Sequence, residues 1–196
     1  MPSDPTILAF DTSAAHCAAA LLRGREIVAS RAEAMSRGQA ERLVPLLEDV
    51  LAQADCVWAD LDAIGVGIGP GNFTGIRISV SAARGLSLGL GVPAVGVSGF
   101  DALTELINAD QLPCIPAPRD QVYVQVPGFD PRLMQRVEAE SLGPLFSCTD
   151  PEKQARAIAR LTAERWHDVS ASPAPLYVRP ADAAPSRDVP PVLLDE

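Results

Sequence analysis

Residues 65–77 read GVGIGPGNFTGIR, and this stretch decides which fold we expect. An apolar run at residues 63–68 predicts a buried strand before it, and residues 74–90 predict a helix after it. Glycines between a strand and a helix let the backbone turn sharply, and free amides at a helix N-terminus suit an anion. A phosphate site and a tight packing turn therefore both stay open for Gly69 and Gly71. The absence of a Walker lysine favours the packing turn.

Upstream of this glycine-rich turn, the sequence predicts three strands and one helix. The strands are expected at residues 6–11, 17–22 and 26–33. They should form an antiparallel meander with a tight turn at Arg23-Gly24. In residues 38–54 the apolar side chains repeat at helical intervals, which predicts an amphipathic helix entered after Ser36 and bent at Pro45.

Downstream of the second helix, residues 93–97 predict a fifth strand. Ser98 and Asp101 have the pattern of a capping box for a third helix that ends near Asn108. The complete order is β-β-β-α-β-α-β-α, which is similar to the order in the RNase H-like fold shared by actin, sugar kinases and Hsp70. By analogy we expect an α/β, actin-like domain with a mixed β-sheet flanked by helices.

Composition changes after residue 111. Ten of the 14 glycines lie at residues 65–99, whereas 13 of the 18 prolines lie at or beyond Pro113. We therefore expect an actin-like N-terminal domain over residues 1–110 and a smaller, truncated C-terminal lobe over residues 111–196. The elements predicted in this lobe are a strand at residues 121–126, a helix at residues 152–165 and a proline-rich, extended end.

Charge and cysteine content exclude several classes of protein. The net charge of −9 gives no positive field that would draw the chain onto a phosphate backbone, so nucleic acid is expected only through a partner. The four cysteines form no CxxC pair, which favours buried free thiols over a metal site or disulfides. No basic N-terminal region and no bilayer-spanning apolar run are present, so we expect a cytoplasmic protein without a membrane partner.

Few side chains in the sequence suggest chemistry. Asp11-Thr12-Ser13 ends the first strand, where actin-like ATPases place a loop that approaches phosphates and metal, although a hairpin turn explains the same residues. A two-metal nuclease needs several converging carboxylates. Asp11 could supply the first carboxylate and Glu48 or Asp49 a second, but the predicted fourth strand contains no carboxylate. A nuclease is therefore an unfavourable interpretation.

The two histidines do not indicate a catalytic or metal site. His16 and His167 have no metal-ligand spacing, and the sequence shows no group that would orient either one as a base. No serine lies in a GxSxG motif. We therefore expect no catalytic residue and no metal.

The second predicted helix carries small residues in two rows. One row is Gly75, Ser79, Ala83, Ser87 and Gly91, and the other is Ser81, Gly85 and Gly89. Small residues at four-residue spacing let another helix approach closely. Two such rows exceed what packing on one sheet requires, so an interface with another protein and purely internal packing both stay open.

Four segments together resemble the bacterial TsaB family, also called YeaZ. They are ILAFDTS at residues 7–13, SRGQAERLVPLLEDVL at residues 36–51, GVGIGPGNFTGIRISVSAARGLSLGLGVPAVGVS at residues 65–98 and PLYVRPADA at residues 175–183. The GPGNFTGIR string is the most specific. The related TsaD (Gcp/Kae) proteins share its glycines but lack the Phe-Thr-Gly-Ile-Arg continuation, and they carry a histidine metal motif that is absent here.

The resemblance implies a non-catalytic subunit of the machinery that makes threonylcarbamoyladenosine beside the anticodon of tRNA. In that family, TsaB pairs with the catalytic subunit TsaD through the first two helices of each protein, the ATPase TsaE joins the pair, and TsaC makes the activated intermediate. The resemblance thus implies that this chain forms a heterodimer with a TsaD-type subunit and that a TsaE-type protein joins the pair. It also implies that the chain contacts tRNA only within the complex and forms a homodimer when alone. No cofactor is implied beyond weak or vestigial ATP or ADP binding.

The resemblance also implies where the partner and a vestigial nucleotide loop would lie. The candidate partner contacts are Leu43, Leu46, Leu47, Val50, Phe73, Ile76 and Val80, of which some must instead face the core. The candidate loop residues are Asp11, Thr12, Gly69 and Gly71. The sequence departs from the family at Gln39, where a histidine is common, and in the shortened C-terminal lobe, which affects the expected TsaE contacts. Two alternatives stay open, a nucleotide-dependent transferase or kinase of the same superfamily and a peptidase.

Overall fold

The first eight elements of the chain follow the predicted order. The computed structural model describes residues 4–108 and 110–178. Its leading elements are β1 (Thr6–Asp11), β2 (His16–Arg23), β3 (Glu26–Ala34), α1 (Gln39–Gln53), β4 (Ala63–Gly67), α2 (Phe73–Leu90), β5 (Ala94–Val97) and α3 (Gly99–Thr104). A short 3-10 turn, Trp58–Asp60, precedes β4. The predicted order β-β-β-α-β-α-β-α is confirmed.

These strands form one mixed, five-stranded sheet in the order β3-β2-β1-β4-β5. The first three strands are an antiparallel meander, and β1 pairs in parallel with β4, as β4 does with β5. Parallel neighbours need crossover connections, and α1 and α2 supply them. The mixed sheet flanked by helices is the α/β, actin-like fold that the sequence predicts.

Both faces of this sheet are buried, which explains the continuous apolar runs in its strands. Side chains of a strand alternate between faces, so Leu8 and Phe10 pack with α1 and α2 on one side. Ile7 and Ala9 point to the other side, where they pack with α3 and a later helix, α5 (Pro151–Arg165).

A second, four-stranded sheet is larger than the single strand predicted for this region. Its strands are β6 (Leu112–Ala117), β7 (Gln121–Val124), β8 (Arg132–Gln135) and β9 (Leu145–Phe146), and a short helix, α4 (Arg136–Glu140), follows β8. The order is β8-β7-β6-β9. Pro113 and Pro116 lie within β6. Because a proline inside an apolar segment argues against a strand, β6 was not predicted from the sequence.

Helix α5 lies beyond residue 110 in the sequence but packs on the first sheet. Asp150 caps its N-terminus, and the side chain accepts hydrogen bonds from the amides of Glu152 and Lys153. Its buried face, which includes Ile158 and Thr162, lies against the strands of the first sheet. The division of the sequence at residue 110 therefore does not coincide with the packing of this helix.

Several element boundaries differ from the prediction by a few residues. The β2–β3 turn is at Gly24-Arg25 rather than Arg23-Gly24, because Gly24 adopts the left-handed φ of 63°. Helix α1 starts after Gly38 and includes Pro45, and α3 ends at Thr104 rather than near Asn108. The predicted proline-rich end and the last residues of the PLYVRPADA segment lie outside the described residues. Among the described residues, no helix combines the length and the hydropathy needed to traverse a bilayer.

Candidate functional site

The β1–β2 loop places a buried carboxylate at the carboxyl end of β1. Asp11 is only 4% exposed. Its Oδ2 atom accepts hydrogen bonds from the Ser13 amide at 3.2 Å and the Ser13 hydroxyl at 2.9 Å. The same oxygen lies 2.8 Å from His16 Nε2, so Asp11 holds both the loop and the imidazole at the start of β2.

The contact between Asp11 and His16 was not expected from the sequence. No group was expected to orient His16, and the structure corrects this expectation, because the hairpin register brings the two side chains together. The carboxylate stands between the Ser13 hydroxyl and the imidazole. A nucleophile and its base must instead contact each other directly, so this arrangement lacks the Ser–His contact of a serine peptidase.

The glycine-rich turn packs directly on the β1–β2 loop. Asn72 caps α2, and its side chain accepts a hydrogen bond from the Gly75 amide at 2.8 Å. The Asn72 amide donates to the Ser13 carbonyl at 2.6 Å. In the other direction, Thr12 Oγ1 donates to the Gly75 carbonyl at 2.7 Å. The two loops therefore satisfy each other's polar groups.

Three glycines make this close approach possible. A Cβ atom at Gly67 would lie 2.0 Å from Asp11 Oδ1, and one at Gly75 would lie 2.0 Å from the Thr12 carbonyl oxygen. At Gly71 it would lie 2.3 Å from the Ser13 carbonyl oxygen. Distances this short are steric clashes, so close packing of two loops is sufficient reason for these glycines.

The other residues of the predicted nucleotide loop are also buried or constrained. Thr12 is fully buried and Gly69 has a φ of 92°, a conformation that favours glycine. The peptide bond between Gly69 and Pro70 is cis. Asp11 ends β1, whereas Thr12, Gly69 and Gly71 lie in two neighbouring loops. Backbone and side-chain atoms of the chain itself occupy the space between Gly71 and Ser13.

The carboxylates considered for a metal pair belong to a different part of the molecule. Glu48 and Asp49 lie on the exposed side of α1. Asp49 forms ion pairs with Arg42 at 2.7 Å and with Arg31 at 3.3 Å. Over residues 4–108 and 110–178, no three His, Cys, Asp or Glu side chains come together as a metal-ligand set.

Most of the side chains predicted to contact a partner belong to the core of this chain. Leu43, Leu46, Leu47, Val50, Ile76 and Val80 are each at most 3% exposed. They are the buried stripe of α1 and the sheet-facing side of α2, so their assignment as surface contacts disagrees with the structure. Phe73, the seventh candidate, is only partly buried.

The two small-residue rows of α2 have different surroundings. Gly75, Ser79 and Ala83 from the first row are buried against the sheet and the β1–β2 loop. The second row, Ser81, Gly85 and Gly89, is exposed, and a Cβ added at either glycine would meet no atom of the described part of the chain within 4 Å. Leu88 lies beside this row and is 87% exposed. We call Ser81, Gly85, Leu88 and Gly89 the open ridge.

An aromatic cluster lies at the N-terminal end of the same helix. The Phe73 ring lies 5.0 Å from the Tyr177 ring, measured between centroids. Arg77 stacks on Phe73, with Cζ 3.8 Å from the ring centroid, and its Nε donates to the Tyr177 hydroxyl at 3.0 Å. Tyr177 belongs to the PLYVRPADA segment, so the structure brings two segments of the resemblance together.

Comparison with known proteins identifies the family of this chain. The family model described as TsaD, tRNA N6-adenosine threonylcarbamoyltransferase, matches residues 25–142, which is more than half of the chain. An uncharacterized protein of Mycobacterium tuberculosis is 34% identical over 92% of this chain and 94% of its own length. The tRNA threonylcarbamoyladenosine biosynthesis protein TsaB of Escherichia coli is 38% identical, over 47% of this chain and 39% of its own length.

A solved structure has the same fold. The crystal structure of an uncharacterized protein with similarity to peptidase YEAZ from Pseudomonas aeruginosa superposes with a TM-score of 0.75 at 27% identity. The match covers 89% of this chain and all of the other one. Together with the family model and the named relatives, it shows that the chain belongs to the TsaB (YeaZ) family.

Proposed function

We propose that this chain is a non-catalytic subunit of the complex that makes threonylcarbamoyladenosine next to the anticodon in tRNA. In this proposal the chain binds and supports a TsaD-type catalytic subunit and performs no chemistry itself. Its family membership supports the pathway, and the open ridge of α2 is the observation that carries the binding role.

The polar groups at the carboxyl ends of β1 and β4 support a non-catalytic role. Asp11 is engaged by Ser13 and His16, and the amide of Asn72 is engaged by Ser13. A catalytic acid, base or nucleophile must be free to contact a reacting atom. These groups instead hold two loops of the chain together.

The open ridge supports docking by another helix. Glycine inside a helix costs about 1 kcal/mol relative to alanine, and packing against residues 4–108 and 110–178 requires neither Gly85 nor Gly89. A row of small residues lets the backbone of a second helix approach closely, and exposed Leu88 would be buried by such a contact. The contact surface proposed here is thus the open ridge rather than the buried side chains predicted from sequence.

Enlarging the ridge tests the docking role. Gly85→Leu and Gly89→Leu place a side chain where no described residue lies within 4 Å, so both variants should fold and be at least as stable to heat as the wild type. In the complex the added side chain would occupy the space of the partner helix. We expect affinity for the TsaD-type subunit of the same genome, measured by isothermal titration, to fall at least tenfold, or about 1.4 kcal/mol.

Arg160→Leu is the matched control for these variants. Arg160 is exposed on α5, which covers the opposite face of the sheet, so this variant adds an apolar surface side chain away from the ridge. It should bind like the wild type. Undiminished binding by both glycine variants would refute the ridge as the interface, and a wild-type chain that does not bind the TsaD-type subunit would refute the proposed function.

We also propose the remaining associations that the resemblance implies. A TsaE-type ATPase joins the pair, tRNA contacts this chain only within the complex, and the free chain forms a homodimer. The net charge of −9 supports indirect tRNA contact, because an acidic surface repels phosphates. Analytical ultracentrifugation of the free chain, followed by addition of each partner, tests these associations one at a time.

We propose that the chain needs no cofactor and that ATP or ADP binding at Asp11, Thr12, Gly69 and Gly71 is weak or vestigial. The hydrogen bond from Asn72 to Ser13 supports this, because it engages an amide at the start of α2. Isothermal titration with ATP, with and without the TsaD-type subunit, measures this directly. Micromolar affinity in the isolated chain would instead favour a nucleotide-dependent transferase or kinase.

A further inference from the structure

The last described segment of the chain is fastened to the region where α2 begins. We call residues 173–178 the strap. The Leu176 amide donates a hydrogen bond to the Ile68 carbonyl at 2.8 Å, directly after β4. Pro173 lies so close to Gly96 that a Cβ atom at Gly96 would be 3.2 Å from the Pro173 Cβ. The strap therefore has a defined path across the ends of β4 and β5.

This path places Tyr177 beside Arg77. The Tyr177 hydroxyl accepts a hydrogen bond from Arg77 Nε, and the guanidinium of Arg77 stacks on the Phe73 ring. A flexible arginine side chain is thus held in one orientation. None of the ion pairs formed within the described residues includes Arg77, so its two terminal NH2 groups have no carboxylate partner there.

Arg77 lies in line with the open ridge. It is exposed and precedes Ser81, Gly85 and Leu88 by four, eight and eleven residues, which places all four on one side of the helix. Helix α2 contains two arginines, Arg77 and Arg84, and no acidic residue. On a chain of net charge −9, this helix face is a local positive strip.

We propose that Arg77, positioned by Tyr177 of the strap, binds a carboxylate on the partner surface that docks on the open ridge. This inference rests on the proposed function and adds the chemistry of the partner. The occupant is a helical protein surface with an acidic side chain opposite Arg77, because a positive strip attracts a negative one. A guanidinium that is already oriented loses less conformational entropy when it forms a bidentate pair with a carboxylate.

Variants at both positions separate this role from a structural one. Arg77→Ala removes the carboxylate ligand, and we expect the affinity for the TsaD-type subunit to fall about tenfold or more. Tyr177→Phe keeps the ring on Phe73 and removes only the hydroxyl that orients Arg77, so a loss of about three- to tenfold is expected. In the Arg77→Ala background, Tyr177→Phe should have no further effect.

The measurement is isothermal titration of the full-length chain and its variants with the TsaD-type subunit, with thermal unfolding recorded for each variant. Arg160→Ala, on the opposite face of the sheet, is the control and should bind like the wild type. If the wild type binds and Arg77→Ala binds equally well, the assignment of Arg77 is overturned while the proposed function stands. An equal effect of Tyr177→Phe in both backgrounds would overturn the positioning role of Tyr177.

A phosphate of tRNA is the other anion that an arginine could bind, and the same variants distinguish it. Gel-shift titration of the isolated chain with unmodified tRNA should show no binding that depends on Arg77. Binding that is lost in Arg77→Ala would overturn the carboxylate assignment in favour of a phosphate.

Discussion

Gly67 and Gly85 both lie inside regular secondary structure, yet their surroundings predict opposite effects of substitution on stability. Gly67 lies in buried β4 against the Asp11 carboxylate, whereas Gly85 faces open space on α2. At the residue scale, glycine therefore has two uses in this chain. One permits close approach within the fold, and the other leaves room on its surface.

Alanine at the two positions should change stability in opposite directions. In Gly67→Ala the new methyl group would overlap Asp11 Oδ1, which Ser13 and His16 hold in place, so we expect the free energy of unfolding to fall by about 1–3 kcal/mol. In Gly85→Ala it should rise by up to about 1 kcal/mol. Urea denaturation measures both values, and a stabilised Gly67→Ala would contradict the loop packing described here.

The four cysteines should differ in reactivity. Burial raises the pKa of the Cys17 thiol to about 11, and burial also raises the pKa of Cys56 and of Cys114. Because the thiolate is the nucleophile, these three should react slowly with an aromatic disulfide reagent at pH 8. Cys148 is only partly buried, and we expect it to supply the single fast phase in the native protein. A fast phase that persists in Cys148→Ser would contradict this assignment.

At the scale of elements, α1 and α2 show what a pattern of apolar residues can and cannot predict. The helical intervals in residues 38–54 predicted α1 well, because only one side of that helix is apolar. Helix α2 has apolar or small residues on most of its sides, so periodicity could not distinguish the row that packs on the sheet from the row that stays open. Ile76 and Val80, two of the candidate partner contacts, lie on the buried side of α2.

Helix α1 is tied to β3 by an ion pair that should respond to pH. Hydrogen bonds from Arg42, both 2.7 Å long, lower the pKa of Glu33 below its ordinary value of 4.5. A carboxyl whose pKa is lowered in the folded state stabilises the fold above its unfolded pKa, and this contribution is lost as pH falls through the folded pKa. Glu33→Gln should therefore slightly destabilise the chain at pH 7 and match the wild type in strong acid.

Thermal unfolding at a series of pH values measures this effect. Glu41→Gln is a suitable control, because Glu41 lies on the exposed side of the same helix and takes part in none of the ion pairs of the described residues. A difference between Glu33→Gln and the wild type that does not shrink below pH 4.5 would contradict the role of the pair.

At the scale of the whole molecule, the chain crosses between its two sheets. The second sheet follows the first in sequence, and α5 then returns to cover the first sheet. Its residues Ala155, Ile158 and Leu161 pack with the strands of that sheet. The division into residues 1–110 and 111–196 stays a prediction about sequence segments. One face of the sheet in the first segment is covered in part by α5, which lies outside that segment.

A chain truncated after residue 110 should therefore fail to fold cooperatively. Without α5, side chains such as Ile7, Ala18 and Leu22 would be exposed to water, at a cost of about 25 cal/mol for each Å² of apolar surface. We expect poor amide dispersion in NMR spectra and no sharp thermal transition. A chain ending at residue 178 keeps every described element and is the control. Cooperative unfolding of the shorter chain would contradict the structural role of α5.

The first sheet was predictable and the second was not, for physical reasons. Long apolar strands and glycine-marked turns carry strong local signals, so the order of the first eight elements was predicted correctly. Strand β9 has two residues and β6 contains two prolines, so tertiary pairing rather than local preference determines this sheet. The contact between Asp11 and His16 depends on hairpin register, which the sequence does not specify at that loop.

Gly85 and Gly89 also bear on how such a chain could be engineered. A redesign that selects only for thermal stability would replace both with alanine, because the helix gains from the change and loses no contact with the described residues. Under the docking role proposed above, each added methyl group would also narrow the room left for the partner. Selection for a higher melting temperature would then yield a more stable chain that binds its partner less tightly. A screen on this family should therefore measure partner binding as well as thermal stability.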